Sequence, residues 1–152
     1  MACWEGRRSE REVLTMREIL FRGKRIDNGE WVEGSLLLLK KPILYAAITY
    51  QHEWEDGKLT LVRVDIDPST VGQYTGLTDK NGKRIFEGDI VQFRTSASTF
   101  RPMYVLWYEE GAQFVVSKPD NVRSYPMDRS WEYEGLGNIY DNPELMEGGG
   151  TT

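Results

Sequence analysis

Residues 64–91 read V-D-I-D-P-S-T-V-G-Q-Y-T-G-L-T-D-K-N-G-K-R-I-F-E-G-D-I-V. This stretch decides the fold, because turn punctuation alternates in it with short runs suited to strands. Asn81-Gly82 follows Asp79-Lys80, and Asn-Gly can supply the positive φ values that a tight hairpin turn needs. Glu87-Gly88-Asp89 then feeds Ile90-Val91-Gln92-Phe93. A glycine between acidic residues just ahead of an apolar strand reads as a bend or bulge that re-aims the chain, as where small barrels turn a corner.

The same punctuation extends in both directions. Asp27-Asn28-Gly29 separates residues 20–26 from 31–38, and Asp56-Gly57 separates residues 48–54 from 59–64. In that last run Leu59, Leu61 and Arg63 face opposite to Thr60, Val62 and Val64, because side chains alternate along a strand. Beyond the central stretch, residues 104–108 and 113–116 flank Glu109-Glu110-Gly111-Ala112, and residues 131–136 and 138–140 complete the inventory of strands. No long apolar stripe at helical spacing appears. The best helical candidate is one turn at Glu144-Leu145-Met146, with Asp141 or Asn142 as cap and Pro143 in the first helical position. The expected fold is mainly β: antiparallel hairpins in small, strongly bent sheets closing into barrel-like cores, as one unit or two subdomains, with at most short helices.

A chain of 152 residues is enough for one domain with a real core. Nineteen Lys and Arg against 24 Asp and Glu give a net charge of -5, which works against broad attraction to phosphate backbones. Nucleic acid is therefore a disfavoured partner. One cysteine, Cys3, rules out a disulfide framework or a multi-cysteine metal site within one chain and fits a reducing cytoplasm. The run Ser35-Leu36-Leu37-Leu38-Leu39 stops at Lys40-Lys41-Pro42, far short of the roughly 20 residues a membrane-spanning helix needs. Residues 1–15 carry charges and a Trp but no apolar core of a secretory signal. They read as a flexible extension ahead of an alternative start at Met16, with a short amphipathic helix through residues 7–14 as the competing reading. Residues 147–152 read as a flexible tail.

Chemical candidates are few. Asp65 and Asp67 would share a face in a strand and could share a metal ion or proton, but a loop in which Asp caps backbone amides explains them more simply. His52, the sole histidine, lacks a recognisable acid–base partner. The D-x-N-G order at Asp79 is not a calcium loop, because Gly82 stands at the fourth place and lysines at the second and fifth. Asp79 and Glu87-Gly88-Asp89 read as turn formers whose carboxylates accept backbone N–H bonds. Arg22-Gly23-Lys24-Arg25 beside Trp31 is the one compact basic cluster, either a small phosphate-and-stacking surface or solvated charges that protect a sheet edge. The aromatics, notably Trp31, Trp54, Trp107 and Trp131, read mostly as core, and any left exposed would mark an interface.

The core Thr75-Gly76-Leu77, Asp79-Lys80-Asn81-Gly82-Lys83, Ile85 and Glu87-Gly88-Asp89-Ile90-Val91 resembles the hallmark of the YopX family of phage and prophage proteins. An opening Met16-Arg17-Glu18-Ile19-Leu20-Phe21-Arg22 and a closing Gly137-Asn138-Ile139-Tyr140-Asp141-Asn142-Pro143-Glu144-Leu145 stand in the family's order, so the resemblance covers residues 16–146. It implies a fold and a genomic context, and no catalytic residue, cofactor or metal ligand. The resulting expectation is a non-enzymatic accessory protein that presents a β-surface to a host or phage protein or to further copies of itself. A small nucleic-acid-binding β-barrel is the rival reading. Thr75, Gly76, Leu77, Asp79, Asn81, Gly82, Glu87, Gly88 and Asp89 are the candidate signature positions, structural and framing a surface site.

Overall fold

The computed structural model describes residues 6–120 and 123–147; Cys3 and the segment 148–152 lie outside them. The strands are β1 (Phe21–Lys24), β2 (Trp31–Leu39), β3 (Tyr45–Glu53), β4 (Leu59–Ile66), β5 (Gly72–Thr78), β6 (Arg84–Phe86), β7 (Asp89–Arg94), β8 (Thr99–Tyr108), β9 (Gln113–Ser117), β10 (Ser124–Pro126) and β11 (Glu132–Asn138). They form two sheets with every described pairing antiparallel: β4-β3-β2-β1-β5-β6 and β10-β9-β8-β7-β11. The mainly β expectation holds, and two sheets fit two subdomains.

The barrel-like expectation does not hold. Neither sheet closes into a barrel, because the sequence turns its corners by local irregularities rather than by a continuous ring of ladders. In the first sheet β2 is shared: residues 31–34 pair with β1 and residues 35–39 with β3. The bend falls at Gly34, where an added Cβ would run into the Thr49 carbonyl. The ends of β1 and β4 meet only at Arg25 and Ile66, with bonds from Ile26 N–H to Asp65 O (3.2 Å) and Asp67 N–H to Lys24 O (2.8 Å). In the second sheet a register shift at Gly135/Gly137 bends β11 against β7.

Each sheet has its own apolar core. Ala46, Ile48 and Ile66 form the first, with Phe21, Val32, Leu36 and Val71 packed around them. The second gathers Val91, Phe93, Met103, Val105, Val116 and Tyr133, and Ile85 reaches it from β6 of the other sheet. Phe93 lies between Phe100 and Trp131, stacked on both at 4.6 and 5.2 Å between ring centres. Ile90 and Val91 are adjacent yet both fully buried, so β7 is covered on both faces. That is why two consecutive apolar residues, Ile90 and Val91, open the strand where a one-sided strand would alternate.

Among the described residues helix is confined to α1 (Glu10–Leu14) and α2 (Glu144–Glu147), plus a 3-10 turn at Pro68–Thr70. Ser9 and Glu12 form a reciprocal capping box on α1, which buries no residue. α2 follows Asn142 and Pro143, whose carbonyls accept from Leu145 and Met146. No helix among the described residues is long and apolar enough to cross a membrane.

Candidate functional site: a buried ion pair between the sheets

Glu87-Gly88-Asp89 carries the chain from β6 to β7, that is, from one sheet to the other. Gly88 takes φ +87°, and a Cβ there would come within 2.9 Å of the Tyr140 ring; an L side chain is disfavoured twice over. Its N–H donates to Val105 O (2.8 Å) and its carbonyl accepts from Ile139 N–H (2.8 Å). Asp89 then turns inward. Its Oδ2 accepts the Phe86 N–H (2.8 Å), and its Oδ1 lies 2.7 Å from Arg22 Nη1, with both side chains almost fully enclosed.

Arg22 comes from β1 and also donates from Nη2 to the Glu87 carbonyl (3.2 Å). Its guanidinium lies over Trp31 (4.5 Å) and Phe86 (5.0 Å), where a planar cation gains from the π faces. Its Nε is buried without a hydrogen-bond partner, a cost that the paired and stacked remainder must offset. Burial pushes the Asp89 carboxyl up from its ordinary value, opposed by Arg22 and the Phe86 N–H. Glu87 is pushed up by burial as well, while its carboxylate accepts the Gln73 N–H (3.0 Å). The close approach of Gly72 to the Glu87 carbonyl, which a Cβ would meet at 2.6 Å, admits only glycine.

A second polar cluster adjoins the first. Asp141 ion-pairs with Lys24 and accepts from Trp31 Nε1 (2.7 Å) and Asn138 Nδ2 (3.0 Å). These contacts, Lys24 foremost, hold its carboxyl down at about 2. Trp31 also packs against Tyr140, 5.7 Å between ring centres. Three stretches far apart in the chain, around Phe21-Arg22, Glu87-Gly88-Asp89 and Asn138–Asp141, thus converge on one pair of charges.

The hairpin end of the signature lies elsewhere. Asp79 Oδ1 accepts the N–H groups of Asn81 (2.8 Å) and Lys83 (3.0 Å), and Oδ2 that of Gly135 (3.4 Å). Lys80 N–H donates to Tyr133 O (2.8 Å), so the β5–β6 turn also covers the outer side of β11. Only Gly82 of the Asn81-Gly82 dipeptide takes a positive φ, +80°. Thr75 Oγ1 donates to Ile85 O (2.8 Å) and accepts from Leu77 N–H (3.2 Å), filling the irregular pairing that Gly76 (φ +87°) opens.

The structure does not bring the remaining candidates together. Asp65 accepts from the Tyr45 hydroxyl (2.6 Å), whereas Asp67 caps the 3-10 turn through Ser69 N and Oγ; the two carboxylates share nothing. His52 is exposed, edge-on to Trp54. Lys24 and Arg25 of the basic cluster are engaged by Asp141 and Asp27. Arg22 corrects the reading of these residues as solvated edge charges, since tertiary packing withdraws it from water. Among the described residues no group of three or more His, Cys, Asp or Glu could hold a metal ion. The sequence reading missed Arg22–Asp89, and the only signal for it was the recurrence of a charge beside each of two apolar strand starts.

Two bent antiparallel sheets joined through a glycine corner and a buried ion pair define a small, mainly β class of protein. The chain belongs to the YopX family: the family model described as YopX protein matches residues 20–147. No curated protein matches. Among solved structures the chain is similar to that of protein EF1440 from Enterococcus faecalis, with a TM-score of 0.50 at 22% identity, over 86% of this chain and 99% of that one. That likeness is one of fold.

Proposed function

We propose that this protein is a non-enzymatic interaction module, an accessory protein of phage or prophage origin working in the cytoplasm of a bacterial host. What carries the reading is an apolar surface left open on one arm of the fold. Leu37, Leu38, Leu39, Ile43, Leu44, Trp54, Leu59 and Leu61 are all exposed, and all belong to β2, β3, β4 or their connecting turns. Isolated exposed apolar residues need no explanation, but apolar side chains exposed at both ends of one arm, residues 37–44 at the β2–β3 turn and residues 54–61 at the β3–β4 turn, on a protein with two well-filled cores mark that arm as a binding surface. The carboxylates and cations of the junction support the same reading, because they are spent on one another and on backbone groups.

The test is affinity capture from host lysate with the full chain as bait, with and without nuclease. A stoichiometric protein retained after nuclease and lost with Leu37→Ser/Leu39→Ser supports the module. Nucleic acid recovered in a salt-dependent manner would instead favour a nucleic-acid-binding β-protein.

A further inference from the structure

We infer that the open edge of β4 is the seat of a second copy of this chain, added as an antiparallel strand about a two-fold axis at Thr60. This rests on the reading of the arm as an interaction surface and names its first occupant.

The four sheet edges are treated unequally. β6 has three residues, β10 has three and ends in Pro126, and β11 is bulged and covered by the Lys80 N–H. Such shortness, proline, bulges and covering are the usual means of stopping strands from adding to an edge. β4 is covered only at its far end, where residues 65–67 meet residues 24–26; over residues 59–64 it has none of them and pairs with β3 without a register shift.

The hydrogen bonds at both ends of β4 tell which groups point outward. Lys58 O accepts from Trp54 N–H, inside the β3–β4 hairpin, whereas Asp65 O accepts from Ile26 N–H on the opposite side. Because the direction alternates along a strand, Leu59, Leu61 and Arg63 each present both N–H and C=O at the free edge. Their side chains share one face, on which Leu59 and Leu61 are 55% and 79% exposed.

An antiparallel partner must match outward residues to outward residues. A two-fold at Leu61 would set Gly57 of the second copy opposite Asp65, where Ile26 already sits. A two-fold at Thr60 avoids this. It pairs Leu59 with Leu61 of the second copy and Leu61 with Leu59, giving four backbone hydrogen bonds and a cluster of four leucines. Arg63, which makes no ion pair or hydrogen bond among the described residues, falls opposite Gly57 of the second copy. There the turn Glu55-Asp56-Gly57 offers two carboxylates. The interface is isologous, as a closed dimer requires.

Sedimentation equilibrium of the full chain from 5 to 200 µM tests this. The expected result is a reversible dimer, abolished by Leu61→Pro. That proline removes only an outward N–H, so the intramolecular ladder survives, and an unchanged circular dichroism spectrum and hydrogen-exchange protection of β3 confirm it. The variants Leu59→Lys/Leu61→Lys and Leu59→Glu/Leu61→Glu are each expected to be monomeric and their equimolar mixture dimeric. A wild type that stays monomeric at 200 µM, or a Leu61→Pro dimer of undiminished affinity, overturns the proposal. A monomeric chain that still captures a foreign protein through Leu37 and Leu39 overturns the second copy alone and leaves the interaction module standing.

Discussion

Arg22 Nη1 stands 2.7 Å from Asp89 Oδ1, inside the junction where β1 of one sheet meets the start of β7 of the other. The pair is enclosed by Trp31, Phe86 and the Gly88 corner, so neither charge has water to turn to if its partner is removed.

The first prediction concerns this dependence. Asp89→Ala leaves the guanidinium buried with one acceptor, Glu87 O, and is expected to cost roughly 3–5 kcal/mol. The double variant Arg22→Met/Asp89→Leu removes both charges and is expected to recover most of that loss. Urea unfolding of Arg22→Met, Asp89→Leu and the double variant gives the coupling. Additive losses would show that the pair does not act as a unit.

Asp141 sets a second expectation, in acid. Its folded carboxyl is held at about 2, below the ordinary aspartate value of 3.8, so between these values the unfolded chain binds more protons and stability rises with pH. The contribution is fully present above about 4 and is lost as pH falls toward 2. Asp141→Asn should therefore lower the melting temperature at pH 6, by an amount corresponding to about 1 kcal/mol for a partly exposed pair. The gap to the wild type should close between pH 4 and pH 2.

Tyr133 gives the alkaline counterpart. Burial pushes its hydroxyl up to about 12, while the hydroxyl accepts from Asp128 N–H (2.9 Å) and donates to Asp128 O (3.1 Å). The folded chain keeps this proton after the unfolded chain has lost it, so the contribution is intact below pH 10 and is lost as pH rises toward 12. Ultraviolet titration should show one phenol ionising about two units late, and Tyr133→Phe should abolish that phase.

Two glycines with the same backbone sign separate conformation from contact. Gly82 has φ +80° with nothing within 4 Å of an added Cβ, whereas Gly88 has φ +87° and the Tyr140 ring at 2.9 Å. Gly82→Ala is expected to cost only the backbone strain, about 1 kcal/mol. Gly88→Ala should cost distinctly more. Adding Tyr140→Ala to Gly88→Ala should recover the excess if the ring contact is its source, which thermal unfolding of the three variants would reveal.

Much of the fold was legible because its determinants are local. Asp56-Gly57 marks a hairpin in any context, and the alternation from Leu59 to Val64 assigns faces before any partner is known, because side chains on a strand alternate by geometry alone. The Glu87-Gly88-Asp89 bend was legible for the same reason, since only glycine tolerates the φ that the corner uses. Asp67 as a cap and the single turn after Pro143 are likewise settled within a few residues.

Where the corners led was not legible. The shared strand β2, bent at Gly34 because β3 passes close beside it, and the open rather than closed sheets depend on contacts between residues far apart in the chain. The same holds for the fate of Arg22. Its neighbours Gly23, Lys24 and Arg25 suggest a solvated basic edge, but its environment is set by Asp89, Trp31 and Phe86, whose approach is a property of the folded chain. Sequence alone determined most of the strands, the alternating faces of residues 59–64 and the glycine turns, since these are limited by backbone sterics and period; β10 was not foreseen, and residues 139–140, expected as strand, form a turn. Only tertiary structure decided which charges are buried and which sheet edge stays open, because burial and edge exposure are defined by what packs alongside.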